Sequence, residues 1–186
     1  MNETVEAKPD TRFAVFRAKH ARTDVESTVL EMAPFTEVVA NGATRAMAAG
    51  MDQGSMLKLL WEGAGFTLVH AWFKSDFPLP RHAHNCDCLY YIVAGSLIMG
   101  TEILGTGDGF FVGKDVPYSY KAGANGVEVL EFRATTRFDI KVLANNPLFW
   151  DQAVATAQQH RTTWTKEEPP SIASQTAEKA PLASST

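Results

Sequence analysis

The sequence predicts an all-β protein, a sandwich or barrel of short strands with one amphipathic helix at its C-terminal end. Three observations carry this. Over about residues 55–143, β-rich runs alternate with clusters of Gly, Pro, Asp and Asn. The runs recur at short, regular intervals, as in strands joined by tight turns and not in strands separated by helices. After Asn146-Pro147 the period changes, and apolar residues recur at helical spacing.

The elements follow in chain order. Residues 1–11 are polar and expected to be disordered, and one domain is expected over residues 12–164. A short helical turn is expected near Glu37 to Met51, weakened by Gly42 and Gly50. The strand runs are MLKLLWE, GFTLVHAWFK, CLYYIVAG, SLIMG, TEILG, GFFVGK, YSYKA, VEVLEFRA and FDIKVLA. GFTLVHAWFK is apolar on both parities, which suits a strand covered on both sides. VEVLEFRA places Val127, Val129, Glu131 and Arg133 on one face and Glu128, Leu130 and Phe132 on the other. Either face can point inward, and each buries a carboxylate or aims it into a cavity. Over about residues 147–162, Phe149, Ala153 and Ala157 share a helix face, with Trp150 and Val154 beside them. Asn146 is a good N-cap and Pro147 suits the first turn. Residues 165–186 are rich in Pro, Ser, Thr, Ala and Glu and are expected to form a disordered tail.

Composition bounds the function. The 186 residues are 45% hydrophobic, 20% charged and 10% aromatic, enough to bury a core without staples. Lys and Arg number 17 against 21 Asp and Glu, a formal charge of -4 with no basic block. No nucleic-acid partner and no membrane partner is therefore expected. No apolar run approaches the roughly 20 residues of a membrane helix, and the polar N-terminus is unlike a signal peptide. A cytoplasmic location is expected. Cys86 and Cys88 are too close for a structural disulfide, which points to a reducing compartment or to local thiol chemistry.

The densest group of potential ligands is PLPRHAHNCDCLYYIVAG, residues 78–95. His82 and His84, two apart on a strand, project from one face roughly 7 Å apart at Cα. Two imidazoles so placed can converge on one metal ion at about 2 Å each. Cys86 and Cys88 share that parity, yet four ligands along one straight strand span about 20 Å and cannot close a tetrahedron. At most two or three of them meet one ion, and only if the chain bends after His84. Asn85 and Asp87 permit such a bend.

With these residues in view, the stretch resembles the first motif of the cupin superfamily: Gly, five residues, His-x-His, three or four residues, Glu, six residues, Gly. Asp76 stands at the first glycine, His82 and His84 supply the pair, Cys88 stands at the Glu, and Gly95 closes the motif. The second motif runs Gly, five residues, Pro-x-Gly, two residues, His, three residues, Asn. GDGFFVGKDVPYSYKA fits its frame from Gly107, with Gly113, Asp115, Tyr118 and Ala122 in place of the Pro, second Gly, His and Asn. Gly100-Thr101 is the expected hairpin turn between them.

The resemblance covers about residues 55–143. It implies a jelly-roll barrel (a double-stranded β-helix), commonly a homodimer, with a metal site inside. It implies His82 and His84 as ligands, with Cys88 where relatives place a carboxylate and Tyr118 where they place a third imidazole. A thiolate suits Zn, Cu(I) or iron, whereas a phenol is a weak ligand unless the metal lowers its pKa. The implied cofactor is a divalent metal ion, Fe(II) first, with Zn, Mn, Ni or Cu as alternatives.

The expected partner is a small organic substrate. The leading function is a non-haem iron dioxygenase that cleaves a carbon–carbon bond next to a carbonyl, followed by a metal-dependent isomerase or lyase. A non-catalytic ligand-binding or regulatory cupin competes with these, and a Cys86/Cys88 thiol sensor is a third possibility. Tyr118 and Glu131 are the candidate proton carriers. His70, Trp72, Tyr90 and Tyr120 are candidate pocket residues. Plainer roles stand beside these: His70 as a satisfied core or interface histidine, Cys88 as core filler, Tyr118 as pocket wall, Glu131 in a surface salt bridge.

Overall fold

The computed structural model describes residues 12–23, 25 and 29–172. Among the described residues, nine strands form two sheets. The smaller sheet contains β1 (Leu30–Met32), β9 (Phe138–Val142) and β4 (His82–Ala83), in that spatial order. The larger runs β2 (Ser55–Gly63), β3 (Phe66–Phe73), β8 (Lys121–Arg133), β5 (Cys88–Met99) and β6 (Glu102–Gly105), with β7 (Gly109–Val112) also paired to β5. Every pairing is antiparallel except that of β1 with β9. The two mostly antiparallel sheets make the all-β jelly-roll architecture expected from the sequence. Its core holds Ala71, Tyr90, Ile92, Leu97, Val127 and Val129.

Glycine decides where long strands bend. CLYYIVAG and SLIMG form the single strand β5, which turns at Gly95 with φ 78° and is irregular on both sides of it. A Cβ at Gly95 would stand 2.2 Å from the Gly126 carbonyl oxygen, so only glycine lets β5 and β8 approach this closely. Gly100 and Thr101 make the two-residue turn from β5 to β6. On β8 the face that turns inward is Val127, Val129, Glu131 and Arg133.

Two helices cover one side. α1 (Glu37–Ala48) starts at Thr36, whose hydroxyl accepts from the Val39 N–H at 3.3 Å. α2 (Pro147–Trp164) starts at Asn146, whose side-chain oxygen accepts from the Leu148 N–H at 3.1 Å. The buried stripe of α2 is Trp150, Ala153, Ala157 and Trp164, with Phe149 half-buried beside it. Gly42 is what allows α1 and α2 to touch: a Cβ there would fall 2.1 Å from the Trp150 ring.

Residues 165–172, expected in the tail, are instead bonded to the fold. The Glu167 carboxylate accepts from the Ser75 N–H at 2.8 Å and the Ser75 hydroxyl at 2.9 Å. The Ser171 N–H donates to Glu128 at 2.7 Å. Apolar content alone missed this, because buried charge-assisted hydrogen bonds hold the segment. The expectations for residues 1–11 and 173–186 fall outside the described residues. Among the described residues no helix is long and apolar enough to cross a membrane.

Candidate functional site

A cavity of about 390 Å³ is lined by both sheets and α1. Most of its wall is apolar, including Val39, Leu57, Val69, Phe73 and Ile140. Its polar side chains are Ser55, His82, His84, Tyr118, Glu131 and Arg133. An apolar hollow with a few polar groups is the usual form of a small-molecule site.

Local structure sets the histidines. His82 on β4 exchanges two backbone hydrogen bonds with Tyr118, at 3.0 and 2.9 Å, which brings their rings to 4.3 Å between centroids. The His82 and His84 rings are 5.1 Å apart. Nδ1 of His82 donates to the Pro80 carbonyl at 2.7 Å, and Nδ1 of His84 donates to the Asp139 carbonyl. Carbonyls only accept, so the proton sits on Nδ1 in each ring and Nε2 keeps its lone pair. Burial lowers the His82 pKa. Burial, then the nearby Arg133 charge, pushes His84 down to about 3. Both rings are therefore neutral at pH 7.

The Tyr118 hydroxyl is hydrogen-bonded to that of Tyr90. Burial first, and then the Glu131 carboxylate, raises the pKa of both phenols, so both stay protonated. Arg133 is 1% exposed. Its Nη2 donates to Glu131 at 2.9 Å and lies 3.5 Å from both the Tyr90 hydroxyl and His84 Nε2. Its guanidinium carbon sits 3.9 Å from the centre of the Phe138 ring. Burial is the largest influence and works against its charge, but the Glu131 carboxylate together with Tyr90, Cys88 and Tyr118 raises its pKa above the ordinary value, so it stays ionised. Its Nε and Nη1 are buried and, among the described residues, have no hydrogen-bond partner.

These residues do not fit a metal held by the expected set. The two imidazoles have the right tautomer, but Cys88 is not brought to them and is absent from the cavity wall. The chain does bend after His84. Asn85 and Asp139 each accept the other's N–H, and Asp87 accepts the Lys114 N–H at 2.8 Å, which leads Cys88 into the other sheet. There burial pushes its thiol up to about 12, so with no metal beside it Cys88 is a neutral thiol. Tyr118 is protonated, and Glu131 is engaged by Arg133. A second cation beside His84 would meet the guanidinium charge at close range. Among the described residues, no group of three or more His, Cys, Asp or Glu could hold a metal ion.

The other expected site residues separate. His70 and Trp72 stand on the opposite face of β3: His70 Nε2 pairs with Glu128 at 3.1 Å, and Trp72 packs under Lys74 at 4.8 Å. Tyr90 touches the site through its hydroxyl, while its ring stacks on Phe110 at 4.4 Å. Tyr120 is core, edge-on to Phe73 at 5.8 Å and to Phe110 at 6.0 Å. Glu131 makes its salt bridge inside the barrel and not on the surface. Arg133 carried no expected role. The one signal was its parity with Glu131, Val129 and Val127.

No protein-family model and no curated protein matches this chain. Solved structures similar to it include a chain of the Rhodobacter sphaeroides SigE complex with the anti-sigma ChrR. That match has 18% identity, covers 44% of each chain and has a TM-score of 0.40. An RmlC-like cupin from Shewanella frigidimarina has 23% identity, with 45% of this chain and 78% of that one covered and a TM-score of 0.40. The polyketide cyclase RemF from Streptomyces resistomycificus has 18% identity, with 56% and 84% covered and a TM-score of 0.45.

Proposed function

We propose that this chain binds a small, largely apolar organic molecule in the cavity and moves a proton on it, as an isomerase or lyase does. One observation carries this: two neutral imidazoles with Nε2 lone pairs lie beside the protonated phenol of Tyr118 in an apolar hollow. His82 is the base. His84, held near pKa 3 by burial and by Arg133, is too weak a base to compete at pH 7. A proton next to a substrate carbonyl passes to His82 Nε2, and the Tyr118 hydroxyl donates to the oxygen that gains negative charge. Tyr90 orients that hydroxyl, and Arg133 adds a fixed positive charge.

Deuterium exchange tests it. Small aryl and alkyl ketones incubated with the protein in D₂O should exchange the hydrogens next to the carbonyl. His82→Gln should slow that exchange by about 100-fold or more. Exchange at the buffer rate with every ketone would leave a binding protein and remove the enzyme.

A second reading keeps the expected iron dioxygenase, and the Nδ1–H tautomers of His82 and His84 favour it, since metal-bound histidines share them. Metal analysis of protein purified without added metal decides. Near-stoichiometric iron that disappears in His82→Ala and in His84→Ala would establish it; a metal-free wild type removes it.

We also propose the expected homodimer. Exposed Phe111, Leu89 and Phe132 lie in register across β7, β5 and β8 and offer a flat apolar row to a second copy. Sedimentation of Leu89→Glu against wild type checks it, with loss of a dimer expected.

A further inference from the structure

The guanidinium of Arg133 is the feature of the cavity that the protein itself leaves incomplete. Nη2 is held by Glu131, and Phe138 covers one face of the group. Among the described residues, Nε and Nη1 are buried without a partner. Leaving a charged donor buried and unpaired is costly, more so than for a neutral group. In native proteins such a group is completed by ordered water, an ion or a ligand.

The surroundings indicate what completes it. His82, His84, Tyr90 and Tyr118 around it are all neutral, so among the described residues Glu131 is the charged group that answers the guanidinium there. A neutral carbonyl offers one acceptor oxygen. A carboxylate offers two, with the charge that makes each bond to an arginine short and strong. Away from Arg133 the wall is apolar: Val39, Ala43 and Met47 on α1 face Leu57, Val69 and Phe73 on the large sheet. At about 390 Å³ the space is at the small end of the range for ligand pockets, roughly 300–1,000 Å³.

We infer that the ligand of this cavity is a small monocarboxylate with an apolar body, its carboxylate completing Arg133 and its body lying between α1 and the large sheet. This rests on the binding half of the function proposed above and adds the ligand's chemical class. Phe138 supports it by fixing the plane of the guanidinium, so little freedom is lost when the carboxylate arrives.

The probes are 3-phenylpropionate, cinnamate and octanoate, each against its methyl ester and primary amide, followed by calorimetry and by thermal shift. The acids should bind at least about tenfold more tightly than the neutral forms, the loss expected for one charge-assisted hydrogen bond. The double variant Arg133→Met/Glu131→Gln leaves no unpaired charge and should bind acid and ester alike. Equal binding of acids and esters by the wild type overturns the inference, as does binding of no acid. So does an acid preference that survives in a folded double variant. The acid-against-ester comparison needs only the wild type, so it decides even if the double variant does not fold. Acid-selective binding without deuterium exchange removes the proton-transfer function and leaves this inference standing. Exchange on neutral ketones with no acid preference does the reverse.

Discussion

Arg133 Nη2 stands 3.5 Å from His84 Nε2, so the imidazole lone pair that would face a metal faces a guanidinium instead. The relationship explains two properties together. The cation depresses the His84 pKa beyond what burial achieves, and it makes a further positive charge at that spot unfavourable. A histidine pair and a buried guanidinium thus share one cavity.

Removing Arg133 alone should destabilise the protein strongly, because the Glu131 carboxylate would remain in the barrel without its partner. Arg133→Met should cost about 3–5 kcal/mol in urea unfolding. Adding Glu131→Gln should recover most of that, since breaking a buried pair costs more than replacing it whole. A double variant no more stable than the single would show that Glu131 is not what the arginine answers.

His84 makes stability depend on pH. Its folded pKa, about 3, lies below the ordinary value of 6.5, so between them the unfolded chain binds more protons than the folded one. The contribution is complete above about pH 6.5 and is lost as pH falls toward 3. Thermal melts at pH 7.5, 5.5 and 4.5 should fall in that order. His84→Gln should reduce the difference between 7.5 and 5.5, where carboxylates titrate little, and leave the part due to His82, whose pKa burial also lowers.

Gly95 in β5 and Gly100 in the turn that follows it should respond unequally to alanine. Gly95 and Gly100 both have positive φ, 78° and 62°. An added Cβ at Gly95 meets a backbone oxygen at 2.2 Å, while at Gly100 it meets nothing within 4 Å. Gly100→Ala should cost only the conformational strain, about 1–2 kcal/mol. Gly95→Ala should cost clearly more, as the backbones of β5 and β8 must part. Equal losses in melting temperature would contradict the close approach.

Cys88 should be inert in the native protein. It is buried, and burial pushes its thiol up to about 12, so almost no thiolate exists at pH 8. Labelling with a thiol reagent should reach Cys88 only in denaturant, as mass spectrometry of the two cysteine sites would show. Modification of native Cys88 within minutes would revive a redox role for the pair.

What was legible in the sequence were the features that depend on near neighbours along the chain. The β-rich runs, the Gly100-Thr101 turn, the Asn146 cap and the spacing of His82 and His84 follow from propensity, turn chemistry and period, which act over a few residues. The shared-face rule also put Glu131 with Arg133 and His82 with His84. The same rule could not say which face of VEVLEFRA looks inward. Both faces carry apolar and charged residues, and an alternation of period two is satisfied equally by either.

The tertiary structure made that decision by pairing β8 between β3 and β5, which turns Arg133 into the cavity and Glu128 out toward His70 and Ser171. It also parted Cys88 from the histidines, because the bend after His84 is steered by Asp139, more than fifty residues away. Contacts between distant segments set these outcomes, and no local pattern encodes them. By itself the sequence determined the strands and the histidine pair; which charge stands against that pair was decided only when the sheets closed.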